Sequence, residues 1–75
     1  SEGMNVELIL QEIEKKYADF KPVSIDGVKI EFESSWVHLR KSNTEPIVRI
    51  YTEAKSEKES EELAERFLRE LEEIV

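Results

Sequence analysis

WVHLRKSNTEPIVRIYT, residues 36–52, places a short polar loop between two segments rich in apolar residues. In the first segment, residues 36–40, side chains alternate between the two faces of an extended chain. The second segment, residues 47–52, is β-branched and aromatic, which is typical of a strand. The stretch therefore predicts two strands joined by a hairpin loop at residues 41–46.

Two further strands are predicted upstream of this hairpin. Residues 23–25 lead into the Asp26-Gly27 pair, which is a strong indicator of a tight hairpin turn. Residues 28–33 then alternate apolar and charged side chains, the period of a strand with one buried face. Ser34-Ser35 supplies the next turn, so that four strands follow one another through short connections.

Amphipathic helices are predicted on both sides of the strands. Asn5 is a suitable N-cap for a helix that runs to Phe20 and is stopped by Pro22. Ser56 and Glu59 form a capping box at the start of the second helix. The apolar stripes comprise Val6, Ile9, Leu10, Ile13, Tyr17 and Phe20 in the first helix, and Leu63, Ala64, Phe67, Leu68, Leu71, Ile74 and Val75 in the second.

These elements predict an α+β domain of order α-β-β-β-β-α, with a four-stranded antiparallel sheet and two helices packed on one of its faces. The other face is left to solvent or to a partner. At 75 residues the chain is one domain at most. We assign residues 5–75 to that domain and residues 1–4 to a linker or an expression remnant. Tyr17 and Phe20 are expected in the core.

Charge is distributed unevenly along the chain, whose formal net charge is −7. Residues 1–35 carry eight acidic and four basic side chains, and residues 53–75 carry nine and four. Residues 36–52 carry three basic side chains and one acidic, for a local charge of +2. The overall charge argues against a nucleic-acid partner. The basic island suits a small anion better than a polyanion.

The residue composition argues against a metal site and against a membrane segment. The chain has no cysteine and a single histidine, His38, so neither a thiolate nor a histidine-based metal site is expected. No apolar run approaches the ~18 residues that would span a bilayer, and no signal peptide is recognisable, so we expect no membrane partner and a cytoplasmic location. A charged fraction of 39%, with two Asn and one Gln, favours a thermophilic source.

The loop has the side chains that a phosphate group requires. Arg40 offers a planar fork of donors, and Ser42 and Thr44 offer hydroxyls. Asn43 tolerates the left-handed backbone that aims N–H groups at an anion, and Pro46 fixes the exit of the loop. Turn chemistry alone also explains such residues. From the residues themselves, anion binding and a purely structural loop both remain open.

The loop resembles one found in a known enzyme family. Its Arg-x-Ser-Asn-Thr-Glu-Pro pattern is similar to that of the C-terminal domain of the α-D-phosphohexomutases, which include phosphoglucomutases, phosphomannomutases and phosphoglucosamine mutases. The resemblance covers nearly all of residues 5–75. It is carried by Arg40, Ser42, Asn43, Thr44, Glu45 and Pro46, and further by Asp26-Gly27-Val28-Lys29-Ile30, Trp36-Val37 and the acidic last helix.

The resemblance implies roles for particular residues. Arg40 would pair with the phosphate of the sugar phosphate, Ser42 and Thr44 would donate hydroxyls, and Asn43 and its neighbours would offer backbone N–H groups. Glu45 and Pro46 would shape the loop. Arg49 matches a later arginine of the family, and whether it reaches the site is left open.

The resemblance also implies what the whole enzyme does. A phosphomannomutase/phosphoglucomutase would move a phosphoryl group between the C1 and C6 oxygens of a hexose phosphate through a phosphoserine. Mg²⁺ and a hexose 1,6-bisphosphate activator would serve the full enzyme, with no cofactor, catalytic residue or metal ligand in this chain. The nucleophile, the metal-binding aspartates and the sugar-selecting loop belong to earlier domains, so this chain alone should not catalyse. Its partners would be a hexose phosphate and those domains.

Two alternatives stand beside this interpretation. The chain could be the C-terminal domain of a phosphoglucosamine mutase, or a non-enzymatic anion-binding or interaction module. Two side chains are also left open. His38 lies in line with Arg40 and could approach the phosphate, although we favour a surface or packing role. Trp36 could dock a partner on the uncovered face or lie at the edge of the core.

Overall fold

The structure is a computed structural model that describes residues 5–74. The predicted linker at residues 1–4 and the stripe position Val75 lie outside the described residues. Two helices enclose three strands in chain order. The elements are α1 (Val6–Lys16), a 3-10 turn (Ala18–Phe20), β1 (Val28–Glu31), β2 (Trp36–Lys41), β3 (Val48–Glu53) and α2 (Glu57–Ile74).

The prediction of a four-stranded sheet is wrong. The sheet has three antiparallel strands in the order β1-β2-β3, and the element order is α-β-β-β-α. The predicted first strand, residues 23–25, contributes one isolated bridge between Val23 and Lys29. Val23 is 50% exposed and Ile25 is 92% exposed, so the segment buries no face against the helices. Pro22 lacks the N–H with which it could extend the pairing.

Because the predicted first strand is absent, the tight hairpin turn predicted at Asp26-Gly27 is also wrong. Because Val23 pairs with Lys29, the connection is a wider loop and not a two-residue turn. Gly27 has φ +77° in this loop, a backbone conformation that glycine adopts readily. A Cβ at Gly27 would lie 2.1 Å from the carbonyl oxygen of Leu39, so the loop lies directly against β2.

Helix α1 begins where the sequence predicts and ends earlier. The Asn5 side chain accepts a hydrogen bond from the N–H of Leu8, which confirms its role as N-cap. The α-helix ends at Lys16, and the chain continues through the 3-10 turn instead of remaining α-helical to Phe20. Lys21 then adopts a left-handed conformation, which ends the turn before Pro22.

Helix α2 begins at the predicted capping box. The Ser56 hydroxyl accepts a hydrogen bond from the N–H of Glu59 at 3.1 Å, and the first helical residue is Glu57. This bond satisfies one of the N–H groups that the first turn leaves without a helical partner. No helix within residues 5–74 has both the length and the apolar composition needed to cross a bilayer.

One apolar layer separates the two helices from the sheet. Alternate residues of each strand point into it, and the paired positions Val28↔Leu39 and Ile30↔Val37 are fully or almost fully buried. Both helices therefore lie on this one face. The core consists of Val6, Ile9, Leu10, Ile13, Tyr17, Val28, Ile30, Val37, Leu39, Phe67 and Leu71.

Phe20 and Leu68, two apolar positions of the predicted helical stripes, are only half covered. Tyr17 is buried as expected, but Phe20 is 49% exposed because the 3-10 turn carries it to the edge of the domain. It still packs edge-on against Phe32, with ring centroids 5.1 Å apart. Leu68 on α2 is 50% exposed, at the margin of the stripe whose centre is Phe67.

Candidate anion-binding site

The face of the sheet opposite the helices carries polar and aromatic side chains. Strand alternation sends every second residue of each strand to this face. Arg40 of β2 and Arg49 of β3 both lie here and are directly paired in the strand register. The residues that share this face are Lys29, Glu31, Trp36, His38, Arg40, Arg49, Tyr51 and Glu53.

The pairing of Arg40 with Arg49 is unfavourable for folding. Side chains at directly opposed positions of an antiparallel pair lie close together, and like charges there destabilise the sheet. An anion bound between the two guanidinium groups would attract both of them and so offset their mutual repulsion. The register thus concentrates positive charge where the strands end and the loop begins.

A concavity of about 330 Å³ lies at this end of the sheet. Its volume falls in the lower part of the range of small-molecule pockets, and its walls are polar. The last strand residues and the loop form it together. The lining residues are Arg40, Lys41, Ser42, Asn43, Thr44, Arg49 and Tyr51.

The loop is held in shape by hydrogen bonds on its inner side. The N–H of Ser42 donates to the carbonyl oxygen of Ile47 at 3.1 Å, continuing the strand pairing one step beyond Lys41. The Ser42 hydroxyl accepts from the N–H of Thr44 at 3.3 Å. Ser42 is only 4% exposed, so it anchors the loop while its own O–H remains able to donate. Asn43 and Thr44 are exposed at the rim.

The cations of the concavity differ in their partners. Arg40 Nη2 lies 3.0 Å from the Asp26 carboxylate, and Lys41 Nζ lies 3.7 Å from that of Glu7. The Arg40 guanidinium also lies 6.0 Å from the centre of the Tyr51 ring. Arg49 faces the concavity from β3 and makes no ion pair with residues 5–74. Both arginines can therefore direct N–H donors at one ligand.

Comparison with known proteins identifies the family to which this loop belongs. The family model described as phosphoglucomutase/phosphomannomutase, C-terminal domain, matches residues 2–70. The chain belongs to this family.

Curated relatives are longer enzymes. This C-terminal domain is 46% identical over 56 residues to the phosphoglucomutase/phosphomannomutase of Thermococcus kodakarensis, covering 75% of the chain and 12% of the relative. It is 43% identical over 75 residues to the phosphoglucosamine/phosphogalactosamine mutase of Sulfurisphaera tokodaii, covering 97% of the chain and 16% of the relative. A phosphomannomutase of Methanocaldococcus jannaschii is 39% identical over 57 residues, covering 76% of the chain and 13% of the relative. The chain thus spans about an eighth to a sixth of these relatives.

In this C-terminal domain the predicted site residues converge. Arg40, Ser42, Asn43, Thr44 and Arg49 all line the same concavity. Their contacts with a phosphate group remain a prediction. Sequence reasoning did not include two lining residues in the site, although both carry a signal. Lys41 lies within the motif, and Tyr51 shares the strand face of Arg49 by two-residue alternation.

His38 and Trp36 lie on the uncovered face but outside the lining of the concavity. A ring nitrogen of His38, Nε2, is hydrogen-bonded to the carbonyl oxygen of Asp26, which gives it the packing role that we favoured. Trp36 donates its Nε1–H to Glu53 at 2.9 Å, and Lys29 Nζ lies 4.6 Å from its ring centre. Trp36 is thus a residue of the uncovered face and not of the core.

The groups with shifted pKa values form a second cluster, where the C-terminal end of α1 meets the C-terminal half of α2. Burial raises the pKa of Tyr17, and its hydrogen bond to the Glu70 carboxylate adds to the effect. Burial opposes ionisation of Glu70, but hydrogen bonds from Tyr17, Lys16 and Arg66 outweigh it and lower its pKa. Such a network can be purely structural. Residues 5–74 bring together no group of three or more His, Cys, Asp or Glu side chains able to hold a metal ion.

Proposed function

We propose that this chain binds the phosphate group of a hexose phosphate, as the C-terminal domain of a phosphomannomutase/phosphoglucomutase. The full enzyme would transfer a phosphoryl group between the C1 and C6 oxygens of the sugar through a phosphoserine. This domain would hold the non-reacting phosphate and thereby orient the sugar. Binding energy from a remote group can in this way be used for orientation at the reacting centre.

The observation that carries the proposal is the placement of Arg40 directly opposite Arg49 at the rim of a polar concavity. A fold gains no stability from two opposed arginines, whereas a phosphate dianion can accept bidentate hydrogen bonds from each of them. The concavity is about 330 Å³, enough for a phosphate group and part of its sugar.

The loop would supply the remaining donors. Because the Ser42 oxygen already accepts the N–H of Thr44, its O–H is the group available to the ligand. The exposed Thr44 hydroxyl and the backbone N–H groups around Asn43 complete the set. Glu45 and Pro46 lie outside the lining of the concavity, which supports a role in shaping the loop.

Catalytic chemistry would reside outside this chain. The family resemblance implies a phosphoserine, Mg²⁺ and a hexose 1,6-bisphosphate activator for the full enzyme. We therefore propose that the other domains of the enzyme bind the metal and carry the nucleophile, and that a sugar phosphate completes the set of partners.

A second candidate for the parent enzyme differs in the sugar that it would bind. Some relatives are named phosphoglucosamine mutases, such as that of Methanocaldococcus jannaschii, which is 42% identical over 45 residues. A phosphoglucosamine mutase is therefore the alternative parent enzyme. Phosphate-loop contacts are common to both alternatives, so assays of the full enzyme with mannose, glucose and glucosamine phosphates are needed to separate them.

Titration of the chain with inorganic phosphate and with mannose 1-phosphate, followed by amide NMR, tests the proposal. We expect saturable shifts at residues 40–45 and at Arg49, with a dissociation constant of about 1 mM or weaker, since one phosphate provides few contacts. Arg40→Ala should abolish saturation, whereas Arg69→Ala on the surface of α2 should not. Shifts scattered over the domain, or none at high ligand concentration, would leave a non-enzymatic interaction module as the better interpretation.

In the full-length enzyme, the same substitution should lower kcat/KM. Loss of a charge-assisted hydrogen-bonded contact costs about 2–3 kcal/mol, which corresponds to a decrease of roughly 30- to 150-fold. The matched Arg69→Ala enzyme should retain the parental value. A near-normal kcat/KM for Arg40→Ala would rule out the role assigned to Arg40.

A further inference from the structure

We propose that Asp26 is the positioning residue for Arg40, an inference that rests on the proposed phosphate-binding function. The Asp26 carboxylate lies 3.0 Å from Arg40 Nη2 and approaches from the β1 side of the sheet. In the sequence, Asp26 belongs to a predicted turn and to the run that resembles the family, and neither gives it a role at the phosphate. In the structure it is the acidic partner of the central cation of the concavity.

The loop that carries Asp26 is fixed against the sheet by three separate contacts. Val23 and Lys29 exchange backbone hydrogen bonds of 2.9 and 2.8 Å at its base. Gly27 lies so close to the Leu39 carbonyl that no side chain fits between them. The ring of His38 is hydrogen-bonded to the carbonyl oxygen of Asp26 itself. The backbone at Asp26 is therefore held beside Arg40 independently of the ion pair.

The carboxylate approaches the guanidinium from outside the concavity. Asp26 is absent from the lining, whereas Arg40 and Arg49 are both part of it. Asp26 engages Nη2, and a guanidinium group has five N–H donors, so an edge of the fork remains for a phosphate inside the concavity. Asp26 and the ligand can thus bind Arg40 simultaneously.

The position of Asp26 also offsets the repulsion between the two arginines. Arg49 lies on the β3 side of Arg40, and Asp26 lies on the β1 side. Without the carboxylate, the guanidinium would move away from Arg49 into solvent. Both members of the ion pair are substantially exposed, at 46% and 68%, so the pair adds little to folding stability. Its consequence is the orientation of Arg40 before ligand binds.

The test compares Asp26→Ala with Asp19→Ala, which removes an equal charge at an exposed position in the 3-10 turn. Phosphate titrations should show affinity weakened by about three- to tenfold in Asp26→Ala, the cost of ordering one long side chain at binding. Asp19→Ala should bind as the unmodified chain does. Asp26→Glu, which restores the carboxylate, should recover most of the affinity.

Two further measurements separate positioning from a general charge effect. The Arg40 Nε–Hε resonance should show increased side-chain mobility in ligand-free Asp26→Ala, with the amide spectrum otherwise preserved. In an Arg40→Ala background, where saturation is lost, Asp26→Ala should leave the residual non-saturating shifts unchanged. Unchanged or tighter phosphate binding in Asp26→Ala, or an unchanged Arg40 resonance, would overturn the inference.

Failure of the inference is distinguishable from failure of the proposed function. The unmodified chain and Arg40→Ala report on phosphate binding, and the ligand-free Arg40 resonance reports on positioning. Saturable binding that is independent of Asp26 would overturn this inference alone. Absence of saturable binding in the unmodified chain would overturn both.

Discussion

Arg40 and Arg49 place two like charges side by side on the uncovered face of the sheet. Their side chains occupy directly opposed positions of β2 and β3, and both line the concavity. Arg40 has an acidic partner in Asp26 at 3.0 Å, as Lys29 has in Glu31 at 3.8 Å, whereas no ion pair of Arg49 is found within residues 5–74. Under the proposed function, an external anion would compensate the remaining positive charge of this pair.

At this scale we predict that Arg49→Ala changes stability and affinity in opposite directions. Removing one of two like charges should stabilise the ligand-free domain by up to about 1 kcal/mol, measured by thermal or urea unfolding. Phosphate affinity should fall by about tenfold or more, because a charge-assisted donor is lost.

Arg49→Lys is the matched variant for this prediction. It retains the charge, and with it the repulsion, but loses the planar fork. Its stability should remain close to that of the unmodified chain while its phosphate affinity decreases. Loss of stability in Arg49→Ala would show that Arg49 has a structural role instead.

At the scale of the element, helix α2 has two neighbouring apolar residues with different environments. Phe67 is fully buried and contacts the aromatic rings of Tyr17 and Phe32, with centroids 5.2 and 6.3 Å away. Leu68, the next residue, is 50% exposed. The sequence places both in one stripe, but adjacent helical residues point about 100° apart, so only one of them can point straight into the core.

Phe67→Ala should destabilise the domain by about 3–5 kcal/mol, since it leaves a cavity at the centre of the core. For a domain of this size such a loss is a large part of the total stability, so partial unfolding at room temperature is expected. Leu68→Ala is the control and should cost much less. Equal destabilisation by the two substitutions, measured by urea unfolding, would contradict the packing described here.

The C-terminal end of α1 and the C-terminal half of α2 are joined by a polar cluster around Glu70. Its carboxylate accepts hydrogen bonds from the Tyr17 hydroxyl at 2.8 and 2.6 Å and pairs with Lys16 at 3.1 Å and with Arg66 at 3.2 Å. Arg66 in turn donates to the Tyr17 hydroxyl at 2.8 Å. Glu70 is only 13% exposed, so these contacts are shielded from solvent more than surface ion pairs are.

The lowered pKa of Glu70 predicts a loss of stability in acid. Its folded-state pKa lies below the unfolded value of about 4.3, so its contribution is fully present above that pH. The contribution is lost as the pH falls through the folded-state pKa, because the folded state then takes up the proton.

Glu70→Gln should therefore be less stable than the unmodified chain at pH 7, and the difference should narrow below about pH 4. Glu61→Gln, at an exposed position of the same helix, is the control and should change stability little. Urea unfolding across this pH range measures both. A stability difference that is independent of pH would show that Glu70 acts through packing and not through its charge.

At the scale of the whole molecule, the fold places the basic island at one end of the uncovered sheet face. The chain retains a net charge of −7, with most of its acidic residues outside residues 36–52. Such a surface attracts a small anion locally and repels an extended polyanion.

We predict that the chain does not bind duplex DNA at physiological salt. Its dissociation constant, measured by fluorescence anisotropy with a labelled duplex, should be weaker than the roughly 0.1 mM that marks the weak limit of non-specific DNA binding. Phosphate binding by the same sample, followed by NMR, is the positive control. Saturable DNA binding in the micromolar range would contradict this view of the charge distribution.

Sequence patterns predicted those features that depend on neighbours in the chain. The N-cap at Asn5, the N-terminal bond of the Ser56 hydroxyl and the alternation of residues 36–40 all appear as expected. The first predicted strand failed because a strand requires a partner and a buried face. Residues 23–25 provide one bridge, and Ile25 points to solvent. The sequence of a short apolar segment beside a proline does not show whether the segment will find a strand partner and a buried face.

The sequence by itself determined the α+β class, the helix starts and the loop motif with its family, because each depends on local propensity or on residue identity. Only the tertiary structure decided the number of strands, the opposition of Arg40 and Arg49, and the contact of Asp26 with Arg40. Strand register and the closure of a loop onto a neighbouring strand join residues that are distant in the chain. Their positions follow from the packing of the whole core, which no local pattern contains.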